Sequence, residues 1–122
     1  MFKAIRNADN KLMKGRIKDE IAFEACGVFE VRELTKGSKW QEANIKDFRV
    51  IKAKTILCTW VDHSMSIKKS FKAGKRYQIE QGRVLGAVAG YVFDEDGDRL
   101  TLYREEVGFS AAGIYLFEAK YS

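Results

Sequence analysis

The spacing of hydrophobic positions changes several times along the chain, and each change predicts a different element. Ile17, Ile21, Ala22 and Ala25 recur at helical spacing, which predicts one helix over residues 15–26 with Gly27 as its C-cap. Ahead of it, Phe2 to Ile5 suits a short opening strand. Asn7-Ala8-Asp9-Asn10 suits a turn, because Asn and Asp side chains satisfy nearby backbone groups. Behind it, Val28 to Leu34 alternates apolar and charged residues imperfectly, as a strand does, and Lys36-Gly37-Ser38 reads as a turn. Trp40 to Lys46 fits neither period.

From Phe48 onward the pattern is that of strands. Val50, Ile51, Thr55, Ile56, Thr59, Trp60 and Val61 make Phe48–Val61 the region richest in β-branched and aromatic residues. Arg76 to Gln81 alternates with Tyr77 and Ile79 on one face. Val84 to Phe93 is apolar and interrupted by glycines. Asp94-Glu95-Asp96-Gly97-Asp98 supplies the Asp-Gly signature of a tight hairpin. Leu100, Leu102 and Val107 resume the strand pattern, Gly108 and Gly113 bracket a small-residue loop, and Ile114 to Tyr121 closes the chain. Short strands between glycine turns predict an α+β fold that is mostly β: a small barrel or strongly bent sheet over residues 48–122. The expectation is a single domain, 1–122, with the helix-containing half 1–47 packed on the β-rich half 48–122.

Composition supports a folded, unstapled domain. The chain has 122 residues, 46% hydrophobic and 32% charged, with no proline to veto a strand. The longest apolar run, Val84 to Phe93, is far short of the roughly 20 residues that cross a bilayer, and the N-terminus lacks an apolar leader. The expected setting is cytoplasmic, without membrane. Cys26 and Cys58 lack metal-like spacing and read as two buried thiols in a reducing compartment rather than a disulfide. The net charge of +5 lies in the first half, where residues 1–61 hold 13 basic and 8 acidic groups against 9 and 9 in residues 62–122. An anionic partner is permitted, not required.

Phe71-Lys72-Ala73-Gly74-Lys75-Arg76-Tyr77-Gln78-Ile79 precedes Gly90-Tyr91-Val92-Phe93-Asp94-Glu95-Asp96-Gly97-Asp98. The first segment carries an x-G-K-x-Y strand opening and the second a D-x-D-G-D hairpin, with Phe117 as a late phenylalanine that ends the barrel. In these features the C-terminal half resembles small SH3-like β-barrel proteins encoded by phages and prophages. The resemblance implies an SH3-like barrel and a small accessory or host-interaction role. It carries over no catalytic residue.

Candidate chemistry is sparse. Asp94, Asp96 and Asp98 occupy positions 1, 3 and 5 of a calcium-loop frame and Glu105 position 12, but Arg99 stands where that loop requires glycine, so a solvated hairpin is expected. His63 is the only histidine. Asp62 beside it points to the opposite face of a strand, and Cys58 is the nearest thiol, so no nucleophilic constellation forms. Gly82, Gly86 and Gly90 have membrane-helix spacing within a segment too short to be one. No dinucleotide, phosphate-loop or nucleophile-elbow motif is present, so no catalytic, cofactor or metal site is assigned. The leading expectation is a non-enzymatic module that binds a protein, with Trp40, Phe48, Phe71 and Tyr103 as anchors wherever they are exposed. The alternative is a nucleic-acid-binding small barrel that uses Lys68, Lys69, Lys72, Lys75 and Arg76. A hydrolase using Glu105, Glu106 and the Asp94–Asp98 loop ranks third. A homodimer through an exposed strand edge is a further expectation.

Overall fold

The structure, a computed structural model, describes residues 1–64, 69–82 and 86–120. The chain divides into two compact units, Met1–Lys52 with Asp96–Asp98, and Ala53–Glu95 with Arg99–Ser122. No helix among the described residues is long and apolar enough to cross a membrane.

The first unit is a curled antiparallel sheet of five strands. β1 (Phe2–Arg6) and β2 (Lys11–Arg16) form a hairpin through the predicted Asn7–Asn10 turn, where Asn10 takes a positive φ of 56°. β3 (Val28–Glu33) pairs with β2, and β4 (Gln41–Asn44) pairs with β3. β5 (Phe48–Val50) joins the free side of β1, giving the order β4-β3-β2-β1-β5. Phe29 anchors the core. Its ring stacks on Phe2 at 5.6 Å and meets Phe48 and Phe23 edge-on at 5.3 and 6.3 Å.

The helix of this unit, α1 (Glu20–Cys26), is shorter than the spacing predicted. Asp19 caps it by accepting from the Ile21 and Ala22 amides at 3.0 and 3.2 Å, and Gly27 ends it with φ 72°. Residues before Asp19 belong to the sheet side of the chain. Leu12, Met13 and Gly15 are buried in β2, whereas Ile17 and Ile21 of the supposed helical stripe are exposed. Gly15 has a positive reason to be glycine, since a Cβ there would lie 2.5 Å from the Phe2 ring.

The second unit is a closed six-stranded antiparallel barrel. Its strands are β6 (Thr55–Val61), β7 (Arg76–Gln81), β8 (Val88–Phe93), β9 (Arg99–Arg104), β10 (Phe109–Ala111) and β11 (Tyr115–Phe117), in the order β10-β11-β6-β7-β8-β9. The small barrel expected of the C-terminal half is therefore present. Phe48–Val61, read as one region, is two strands that pair in different sheets. Val107 lies in the turn between β9 and β10, almost fully exposed, rather than in a strand. The predicted strand Val84–Phe93 begins at Val88, its first residues lying outside the described ones, as does Tyr121 of the last predicted strand.

The barrel interior is filled by its own side chains. Phe71, from the segment ahead of β7, meets Tyr77, Tyr115 and Phe117 edge-on at 4.8, 4.8 and 5.3 Å. The two tyrosine hydroxyls accept from the backbone amides of Lys72 and Ser70, each at 2.8 Å, so the segment carrying Phe71 has its amides satisfied on both sides of the ring. Burial pushes the Tyr77 hydroxyl above its ordinary pKa, which keeps it a neutral hydrogen-bonding group.

Candidate functional site

The outer surface of the barrel carries an apolar row set by strand register. Trp60 of β6 pairs with Leu116 of β11, Leu116 with Ser110 of β10, Ser110 with Tyr103 of β9, and Tyr103 with Val88 of β8. Directly paired residues point to the same face of a sheet. Their neighbours Val61, Tyr115, Ala111 and Leu102 are buried in the barrel, so this row faces outward. The exposures agree: Trp60 47%, Tyr103 43%, Leu116 41% and Val88 39%. At about 4.8 Å between strands, five aligned positions follow the curved barrel wall for roughly 19 Å, crossing five of its six strands.

Two local features build the row. A register shift between Leu116 and Phe117 pairs Phe117 with Cys58, passing over Thr59, so that Thr59 and Trp60 both face outward. In the middle, Ser110 is small and largely covered, and its hydroxyl lies 2.5 Å from Glu105 Oε1. Glu105 thus borders the row, and Glu106 is exposed beside it in the same turn. At the Trp60 end, Asp62 accepts from the Ser64 hydroxyl and backbone amide, which hold its carboxyl below the usual range. The row is an apolar strip with carboxylates at its margin.

The anchors expected from sequence separate by burial. Tyr103 is in the row. Phe48 belongs to the core of the five-stranded sheet and Phe71 to the barrel core, so neither meets the condition of exposure, because both rings are needed to fill their interiors. Trp40 is half-buried, with the guanidinium carbons of Arg16 and Arg32 at 4.1 and 5.4 Å from its ring centroid. Trp60, Leu116 and Val88 were missed. Their chain positions are dispersed, and only the pairing register collects them.

The basic segment is partly neutralised. Lys75 pairs with Glu95, and that bond raises the lysine pKa while lowering the glutamate's. Arg76 Nη1 lies 2.9 Å from Glu118 Oε1. Lys69 is half-buried and Lys72 exposed, while Lys68 lies outside the described residues.

The chain matches no protein-family model, no curated protein and no solved structure.

Cys58 and His63 do not converge. Cys58 is buried, burial pushes its thiol up, and His63 is exposed beyond the end of β6. Cys26, expected to be buried, is exposed at the end of α1, because that helix buries none of its residues. Neither cysteine is in a disulfide. Asp94, Asp96 and Asp98 each bring a carboxylate oxygen within 4.8 Å of the other two, but Asp98 lies 3.9 Å from Lys11 Nζ and Glu105, the twelfth position of the calcium frame, is engaged with Ser110 at the other end of β9.

Proposed function

We propose that this protein is a non-enzymatic binding module whose barrel docks an apolar segment of another protein on the Trp60–Leu116–Tyr103–Val88 row. The observation that carries the reading is a register-aligned band of four large apolar side chains, each about 40–50% exposed, on the outer surface of β6, β11, β9 and β8, with Ser110 of β10 between Leu116 and Tyr103. Tryptophan and tyrosine contribute large contact area at low entropic cost, which suits them as anchors. The carboxylates of Glu105, Glu106 and Asp62 favour a partner whose apolar segment is flanked by basic residues. Barrel closure leaves no free strand edge among the described residues of this unit, so docking uses side chains rather than strand addition. The likeness of the Gly74–Tyr77 and Asp94–Asp98 segments to phage-encoded small barrels makes a host-cell protein the natural class of partner.

The nucleic-acid reading of the 68–76 segment has less support, since Lys75 and Arg76 already hold carboxylate partners. The test is affinity capture from a cell lysate with the natural chain and with a Trp60→Ser/Tyr103→Ser variant. A stoichiometric partner retained by the first and lost by the second is expected. A partner retained equally by both, or none retained by either, overturns the reading.

A further inference from the structure

The five-stranded sheet carries a second surface of different chemistry. Lys3 of β1 pairs with Lys14 of β2, and Lys14 pairs with Arg32 of β3. Ala4, Met13 and Val31, adjacent to these in sequence, face the core, so the three cations stand in a row on the opposite face. At strand spacing the row is about 10 Å long. Like charges directly opposite on neighbouring strands repel.

Among the described residues, none of these three cations forms an ion pair, whereas neighbouring cations do: Arg16 reaches Glu30 at 2.9 Å, and Lys11 lies 3.6 Å from Glu33. All three are half-buried. Burial first, then the charges of Lys14 and Arg32, hold the Lys3 ammonium below its ordinary pKa. Arg32 is steadied by Trp40 instead of by a carboxylate, and its Nε, shielded from solvent, has no acceptor among the described residues. A fixed guanidinium beside two lysines is a pre-arranged set of donors that the fold holds at a cost.

We propose that the Lys3–Lys14–Arg32 row is a binding site for phosphate-bearing anions. Guanidinium and ammonium groups donate charge-assisted bonds to phosphate oxygens, and Arg adds a two-pronged geometry. A row of this length matches successive phosphates better than a lone carboxylate. A nucleic-acid backbone and an inorganic polyphosphate share that chemistry.

The test uses the full chain, a labelled oligothymidylate followed by anisotropy, and tripolyphosphate as competitor. Binding is expected at low salt, with log K falling against log salt at a slope near −2 for about three single-strand phosphate contacts. Lys14→Gln is expected to weaken binding about tenfold and to reduce the slope by about 0.7, while its melting temperature equals or exceeds that of the natural chain. Lys36→Gln, at an exposed turn, is the control and leaves binding unchanged. Displacement by tripolyphosphate at matched phosphate concentration assigns a compact polyphosphate, and its failure assigns a strand backbone. The proposal is overturned if neither probe binds, if Lys14→Gln binds as the natural chain does, if Lys36→Gln weakens binding equally, or if Lys14→Gln melts lower because the lysine serves packing.

Discussion

Phe71 offers the sharpest contrast between two readings of one residue. As an exposed anchor it would tolerate truncation, since surface substitutions change stability by no more than about 0.5 kcal/mol. The structure places it 1% exposed, in edge-on contact with three aromatic rings. Phe-to-Ala changes in cores cost about 3–5 kcal/mol, the larger values where the surroundings cannot collapse. A closed barrel wall is hydrogen-bonded all round and collapses poorly, and Tyr77 and Tyr115 are held at their hydroxyls by the Lys72 and Ser70 amides. Phe71→Ala is therefore expected to cost about 4–5 kcal/mol, a large share of the roughly 5–15 kcal/mol that holds a domain together. Phe71→Leu keeps most of the volume and is expected to cost less than about 2 kcal/mol. Urea denaturation followed by hydrogen exchange of the β7 and β11 amides measures both. A Phe71→Ala loss below about 0.5 kcal/mol would refute the placement of this ring inside the barrel.

Two further outcomes follow from backbone geometry and thiol burial. Gly97 and Gly74 share a φ of 89°, but a Cβ at Gly97 would lie 2.3 Å from the Leu12 carbonyl oxygen, while nothing lies within 4 Å of one at Gly74. Gly74→Ala is expected to cost about 1–2 kcal/mol from the left-handed backbone alone, and Gly97→Ala clearly more in thermal unfolding. Equal losses would contradict the close Gly97–Leu12 approach. Iodoacetamide under native conditions is expected to label Cys26 and spare Cys58 until denaturant is added, as read by peptide mass spectrometry. Comparable native labelling of Cys58 would mean that the barrel opens at β6.

The sequence made the barrel legible where alternation and turn chemistry agreed. Tyr77 and Ile79 share the inner face of β7, and the Asp-Gly signature marks the β8–β9 hairpin. It misled where an apolar stripe was not buried. Ile17, Ile21, Ala22 and Ala25 have helical spacing, yet Ile21 is 80% exposed, and β2 runs to Arg16 before the helix begins at Glu20. Periodicity also cannot reveal a change of sheet. Phe48–Val50 pairs with β1 and Thr55–Val61 with β7 and β11, though both read as strand. The surfaces were the least legible, because each depends on register. A register shift at Leu116 decides how Trp60 aligns with the outer row, and the β1–β2 hairpin decides that Lys3 faces Lys14.

The docking row is tested most directly by the fluorescence of Trp60 in a Trp40→Phe background, with the purified captured protein titrated in. Burial of Trp60 at the interface predicts a saturable blue shift and protection from a soluble quencher, both abolished by Leu116→Ser. A complex that forms while Trp60 emission and quenching stay unchanged would contradict the account.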